Sequence, residues 1–133
     1  MSITASWSVK RGVNDGTGFV EATETITGGR EQVIAETFGA GTDVLCNFTS
    51  DVSTAKVVYM LATTATLVET NSSSAPPNVF NLAAGVPYLW TSSSGASWYD
   101  TGGTVVTTDI TKFYITNVAS TDLIIKILED PTP

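Results

Sequence analysis

Carboxylates are the side chains of this sequence with the most obvious catalytic potential. Two acids on one surface can hydrolyse a glycosidic bond, one as the proton donor and the other as the nucleophile or base. Glu21 and Glu24 are three residues apart, and Glu31 and Glu36 are five apart. In a β-strand an odd separation puts two side chains on opposite faces. Neither pair is therefore placed for this reaction, and we expect no enzymatic activity.

Nucleophilic and zinc chemistry are disfavoured by the residue inventory. The sequence contains no histidine and one cysteine, Cys46. A catalytic thiolate or serine normally relies on a neighbouring base or cation, most often histidine, and zinc sites commonly use histidine ligands. Cys46 alternates with Val44 and Phe48, so the pattern predicts a small buried side chain on their face.

Side-chain oxygens suited to Ca²⁺ occur at Asn14, Asp15 and Asp100. The same residue types are favoured in turns, and all three stand close to glycines. The glycine pairs precede predicted strands rather than helices, so they are not phosphate-binding loops. We therefore predict no catalytic residue, no metal site and no cofactor.

Aromatic residues form the remaining candidate site. Trp90 precedes a stretch rich in serine and glycine, residues 91–103, and Trp98 and Tyr99 lie within it. Exposed rings can anchor a protein interface or stack on a sugar, whereas buried rings would fold the loop back onto the core. The sequence leaves these three possibilities open. The candidate interface residues are Ile3, Trp7, Trp98 and Tyr99.

Short strands must position these side chains, because apolar and polar residues alternate along most of the chain. The first strand carries Ile3, Ala5, Trp7 and Val9, and the residues Val13–Thr17 predict a hairpin turn. Further strands follow at the roughly 8–12-residue spacing typical of sandwiches and barrels. They are Gly18–Thr27, Glu31–Phe38, Asp43–Phe48, Ala55–Ala62, Ala65–Thr70, Val79–Leu82, Val86–Trp90 and Thr104–Thr107.

The stretch Ile110–Asp130 predicts a final hairpin, with a polar turn at Asn117–Asp122. Its second strand is apolar on both faces except at Lys126, which is typical of a central strand. Thr27–Arg30 predicts another tight turn, and Pro87 predicts a sheet edge or a strand start. We predict an all-β fold in a single domain, residues 1–133. An antiparallel β-sandwich of jelly-roll type is the first choice and a closed β-barrel the second.

Charge and composition limit the classes of molecule that we expect this protein to bind. The net charge is −7, and 14% of the residues are charged, against about 25% in typical soluble domains. No basic cluster exists beyond Lys10–Arg11, so we expect neither nucleic-acid binding nor attraction to an anionic membrane. The first ten residues lack the pattern of a secretory signal, and no apolar run is long enough for a membrane span. A weakly charged, Thr-rich surface suits an assembled or an extracellular protein, and the single cysteine fits a reducing cytosol.

Three segments carry a resemblance to a known group of proteins. They are Ser53–Met60, then Leu67–Asn71 with Phe80–Trp90, then Phe113–Asn117 with Ile127–Asp130. The order of these segments, with L-x-x-G-x-P-x-x-W in the middle, resembles small all-β proteins encoded in the structural gene clusters of tailed bacteriophages. The resemblance covers about the last two-thirds of the chain and brings no catalytic site with it.

The resemblance implies a virion component assembled in the host cytoplasm. We expect a non-enzymatic decoration or cement protein that binds the major capsid protein or other virion proteins, with a homo-oligomer, by analogy a trimer. On this hypothesis Trp98→Ala lowers capsid occupancy without unfolding the domain. The alternatives are a tail, neck or head-fibre component and, from another class, a carbohydrate-binding module for host attachment.

Overall fold

The computed structural model describes residues 3–12 and 19–130, with side-chain environments for Thr4 and from Ile26 onward. The described residues form ten β-strands and two short 3₁₀ turns, Val52–Thr54 and Ser92–Ser94. The strands are β1 Ile3–Gly12, β2 Phe19–Gly28, β3 Arg30–Phe38, β4 Gly41–Ser50, β5 Ala55–Ala62, β6 Thr66–Thr70, β7 Val79–Leu82, β8 Tyr88–Thr91, β9 Ile110–Asn117 and β10 Thr121–Glu129. No helix in these two ranges is long and apolar enough to cross a bilayer.

The strands form three antiparallel sheets. β1 and β2 make a two-stranded sheet, which we call the ribbon. Sheet I has the strand order β3–β10–β5–β8, and sheet II has the order β4–β9–β6–β7. Counted from β3, these orders are 1-8-3-6 and 2-7-4-5, the arrangement of an eight-stranded jelly roll. The predicted jelly-roll sandwich is confirmed, and neither sheet closes into a barrel.

The core lies between sheets I and II and follows the alternation of their strands. Every second residue of β10 is fully buried, and Phe113, Ile115 and Asn117 of β9 are buried on the inner face of the other sheet. The Phe48 and Phe113 rings lie 5.0 Å apart at their centroids. β10 sits between β3 and β5, which confirms its prediction as a central strand. The fully buried apolar residues are Val58, Met60, Ala62, Val68, Phe80, Ile110, Phe113, Ile115, Leu123, Ile125 and Ile127.

The connections between strands differ from two predictions. β9 belongs to sheet II and β10 to sheet I, so residues 118–120 cross between the sheets and the predicted final hairpin is wrong. β3 pairs with β10 rather than with β2, so Thr27–Arg30 is a bend from the ribbon into the sandwich, not a hairpin turn. A short polar link can form a hairpin turn or can lead the chain into another sheet. The alternation of side chains shows which face of a strand is buried, but it does not show which strand is its partner. The predicted first hairpin is confirmed by the β1–β2 pairing, and its turn lies outside the described residues.

Among the remaining strand predictions, one is confirmed and two are corrected. β8 is an edge strand of sheet I, as Pro87 predicted. Thr104–Thr107 is not a strand, since its only ladder contact is an isolated bridge between Tyr99 and Val105. β4 is one of the two edge strands of sheet II. Its Phe48 is buried, Cys46 half-buried and Val44 exposed. The predicted inward face of β4 therefore holds at one end only.

A buried charge lies within the sandwich, next to the end of the ribbon. The carboxylate of Glu129 is fully buried and accepts hydrogen bonds from Arg30 Nε at 3.3 Å and Arg30 Nη2 at 3.2 Å. It also accepts from the backbone N–H of Asp51 at 3.1 Å. Beside it, a Cβ on Gly28 would lie 2.8 Å from Glu129 O and Leu128 Cγ. Only glycine allows the end of β2 to approach β10 this closely.

Candidate functional site

Four aromatic rings close the side of the sandwich where β7 and β8 form the sheet edges. Trp98 stacks on Trp90, with ring centroids 5.9 Å apart and planes 19° apart. Its other neighbour is Phe80, 6.0 Å away, and Phe80 meets Tyr88 edge to face at 5.3 Å. Trp98 is only 4% exposed and belongs to the core. Of the three possibilities that the sequence left open, the structure shows the one in which buried rings fold the loop back onto the core. The prediction of Trp98 as an interface residue is corrected.

Hydrogen bonds to the loop backbone hold this cluster in place. Trp90 Nε1 donates to Ala96 O at 3.0 Å, and the Tyr88 hydroxyl donates to Tyr99 O. Burial raises the pKa of Tyr88 to about 12, so this hydroxyl stays protonated and remains a donor at physiological pH. The cluster therefore lacks the exposed flat platform of rings that a sugar site needs.

Asp100 organises the loop that carries Trp98. Its Oδ2 accepts from Asn78 Nδ2 at 3.0 Å and from the backbone N–H of Val79 at 3.1 Å. Its Oδ1 accepts from the backbone N–H groups of Gly102 and Thr104, both at 2.9 Å. Burial by itself would raise the pKa of Asp100, but these hydrogen bonds outweigh it and lower the pKa. All four lone-pair positions of the carboxylate are used within the chain, so Asp100 acts as a turn residue rather than a Ca²⁺ ligand.

Tyr99 is the candidate interface residue of this loop that faces solvent. It is 50% exposed and pairs across the isolated bridge with Val105, which is also exposed. Trp98, which precedes Tyr99, and Val106, which follows Val105, are both buried. The backbone N–H of Val106 donates to Trp98 O at 2.7 Å. Strand-like alternation thus gives the loop one inner and one outer side, and Tyr99 is the candidate from this loop that remains available to a partner.

The other two candidate interface residues, Ile3 and Trp7, lie in β1. Their Cα partners in the ribbon are Gly28 and Glu24. Among the described residues β1 and β2 pair only with each other, so each has one strand edge whose backbone groups pair with no other strand. An open edge of this kind is a template for an added strand. The structure does not bring Ile3 and Trp7 together with Tyr99 into one described cluster.

Cys46 and the remaining carboxylates offer little reactivity. Burial, and then the negative charge of Glu36, raise the pKa of the Cys46 thiol, which lowers its thiolate fraction and reactivity. Among the described residues, no group of three Asp, Glu, Cys or His side chains is placed to hold a metal ion. Glu31 and Glu36 alternate along β3, so an odd separation again leaves them on opposite faces.

One pair of carboxylates was missed by the sequence analysis. Glu69 lies on the outer face of sheet II, beside Tyr114 of β9, and is mostly buried. Asp43 reaches it from β4, and its backbone N–H donates to Thr116 Oγ1 at 2.9 Å. Burial, followed by the charge of Asp43, raises the pKa of Glu69. Asp43 and Glu69 are 26 positions apart in the chain, and strand pairing alone brings them together.

Glu69→Gln is expected to stabilise the protein at neutral pH relative to the wild type. Because the folded-state pKa of Glu69 is raised, the folded state binds this proton more tightly than the unfolded state. The wild type therefore loses stability as the pH rises through that pKa. The gain should vanish below the ordinary glutamate pKa. Urea unfolding at several pH values measures it, with Glu31→Gln as the control for loss of one negative charge; a gain that is the same at every pH would contradict the prediction.

The comparisons with known proteins come down to one finding. No protein-family model matches this chain, and neither does a curated protein or a solved structure.

Proposed function

We propose that this protein is a non-enzymatic structural component of a tailed-bacteriophage virion that decorates or cements the capsid surface. Three features support the proposal together. The segments quoted above resemble small proteins of phage structural gene clusters. The jelly roll is an architecture used by viral capsid and lectin domains. The surface chemistry, with 14% charged residues and no histidine, suits protein contacts better than catalysis.

The observation that carries the proposal is the ribbon. Two ten-residue strands, β1 and β2, pair with each other outside both sheets of the sandwich. Their outer edges offer backbone donors and acceptors to a strand of another protein, which gives affinity with little demand on side chains. Tyr99 offers a second contact on the loop, because a half-exposed aromatic ring is a common interface anchor. The partner in this proposal is the major capsid protein or another virion protein.

The experiment that tests the proposal is a copy-number measurement. Quantitative mass spectrometry of purified virions compares this protein with the major capsid protein. A ratio near one, or a simple fraction of one, is expected for a protein that occupies the capsid lattice. A ratio far below that would instead assign it to the tail, the neck or a head fibre. Complete absence from the particle would refute a role in the virion.

The carbohydrate-binding alternative is the weaker one. It requires Trp90, Trp98 and Tyr99 to form one exposed platform, and the burial of Trp98 removes the middle ring of that platform. A glycan array with the purified protein tests it directly, and we expect no hits.

A further inference from the structure

Two carboxyl groups meet on the outer face of sheet II, on the side away from the core. The strand register places Glu69 of β6 beside Tyr114 of β9, and Tyr114 beside Leu45 of β4. Asp43, two positions before Leu45, reaches across β9 far enough for its carboxyl group to contact that of Glu69. Glu69 is only 8% exposed, whereas Asp43 is exposed. One carboxyl group of the pair is therefore largely shielded from water, and the other is accessible to it.

The backbone around Asp43 is irregular. The register between β4 and β9 shifts between Gly41 and Val44; we call Gly41–Val44 the β4 bulge. Asp43 has a φ of +51°, a left-handed conformation that costs free energy for a residue with a side chain and persists where surrounding contacts hold it. Thr116 supplies two such contacts, since its Oγ1 accepts from the Asp43 N–H at 2.9 Å and donates to Asp43 Oδ1 at 3.4 Å. The contact with Glu69 is a third.

The β4 bulge lies where the sheet is easiest to open. β4 is an edge strand of sheet II, and its hydrogen-bonded neighbour in that sheet is β9. Residues 42–45 are all exposed. A segment with few buried contacts opens locally at a lower cost in free energy than a central strand does. The state of the Asp43–Glu69 contact therefore has a direct influence on whether the bulge stays closed.

No positive charge compensates the pair. β9 contributes the titratable groups Tyr114 and Lys112 to this face, and β7 contributes the uncharged Val79 opposite Glu69. Within the described part of the chain, no ion pair joins Lys112 to Asp43 or Glu69. The two carboxyl groups therefore depend on each other and on protons from the solvent.

Two carboxylates in contact without a cation cannot both be charged at low cost, so the pair binds a proton more tightly than an isolated carboxyl group does. Burial, and then the charge of Asp43, raise the pKa of Glu69. Glu36 of β3, whose charge acts on Cys46, is also negative and does not offset the repulsion. With one proton present the two carboxyl groups are joined by a hydrogen bond, and with none they repel each other.

We propose that Asp43 and Glu69 share one proton in the closed structure, and that this shared proton holds the β4 bulge against sheet II. The bulge is then a pH-sensitive latch on an edge strand, closed in acid and open more often at neutral pH. The direction follows from linkage, because a group whose pKa is raised in the closed structure contributes its stability at low pH and loses it as the pH rises through that pKa. The latch acts within a single chain, so it stands independently of the proposed virion contact.

The test is amide hydrogen exchange of the full chain, followed by NMR from pH 4 to pH 7 and corrected for the intrinsic effect of pH on exchange. We expect the protection of the Asp43 and Val44 amides to fall by about fivefold over this range. Asp43→Asn and Glu69→Gln should each remove this fall. Asparagine tolerates the positive φ, and its side-chain amide can donate to the Glu69 carboxylate at every pH.

A second measurement separates a shared proton from a merely structural contact. The titration of the Glu69 carboxyl carbon, followed by NMR, gives its pKa directly. That pKa should fall in Asp43→Asn, because the neighbouring charge is removed and a hydrogen-bond donor takes its place. Glu31→Gln is the matched control: it removes an exposed carboxylate from sheet I and should change neither the Glu69 titration nor the exchange at the bulge.

Three results would overturn the proposal. One is protection of Asp43 and Val44 that does not change with pH in the wild type. Another is a pH dependence that survives in Asp43→Asn or Glu69→Gln, or a Glu69 titration that is the same with and without the Asp43 carboxyl group. The third is an equal effect of Glu31→Gln, which would assign the pH dependence to the net charge of the protein.

Discussion

Trp98→Ala is expected to lower the free energy of unfolding by about 3–5 kcal/mol, the usual cost of removing a large buried aromatic side chain. Trp98 is 4% exposed and lies between Trp90 and Phe80, with ring centroids 5.9 Å and 6.0 Å away. Removing the indole leaves a cavity where the loop meets the core, and neither neighbouring ring can fill it without leaving its own packing. Urea unfolding followed by circular dichroism measures the effect.

The control is its neighbour in the chain. Tyr99 is 50% exposed, so Tyr99→Ala should change stability by no more than about 0.5 kcal/mol. The backbone carbonyl of Tyr99 accepts a hydrogen bond from the Tyr88 hydroxyl, and that bond is unaffected by the substitution. If the virion proposal holds, Tyr99→Ala should reduce capsid occupancy while the domain stays folded. Equal stability of Trp98→Ala and wild type would show that the loop does not fold back in solution.

Arg30→Leu is expected to destabilise the protein by about 3 kcal/mol, at the lower end of the cost of breaking a buried ion pair because Arg30 is half-exposed. The substitution leaves the carboxylate of Glu129 buried with the Asp51 N–H, 3.1 Å away, as its closest remaining donor. The same substitution removes the charged contact at the start of β3, where the ribbon enters the sandwich. Chemical denaturation gives the loss of free energy.

A second substitution separates the cost of a stranded charge from the loss of a favourable contact. In Arg30→Leu/Glu129→Leu no buried carboxylate remains, so the double variant should recover much of the stability lost in Arg30→Leu. Recovery is incomplete, because the hydrogen bond from Asp51 N–H to Glu129 is also lost. The account would be contradicted if the free energy of unfolding of the double variant were lower than that of Arg30→Leu, as expected when two core substitutions simply add.

In the candidate site, residue types identified the aromatic residues but did not predict which of them are buried. The aromatic residues around residues 91–103 were identified from composition, but whether they face solvent or the core was not. Trp98 and Tyr99 are adjacent, and alternation requires only that they point to opposite sides. The outcome depends on Phe80 and Trp90, which come from β7 and β8 and are placed by two different sheets. The Asp43–Glu69 pair was missed for the same reason, since it exists only across β9.

Local chemistry was enough to establish that this chain is an all-β sandwich, because alternation, turn residues and proline act within a few positions of the chain. The central position of β10 and the edge position of β8 also followed, from apolar faces in one and Pro87 beside the other. Only the tertiary structure decided that β9 and β10 belong to different sheets, that β2 and β3 do not pair, and that Arg30 meets Glu129 across 99 positions. Strand partners are chosen by packing between distant segments, and a short polar link is compatible with either a hairpin or a crossing.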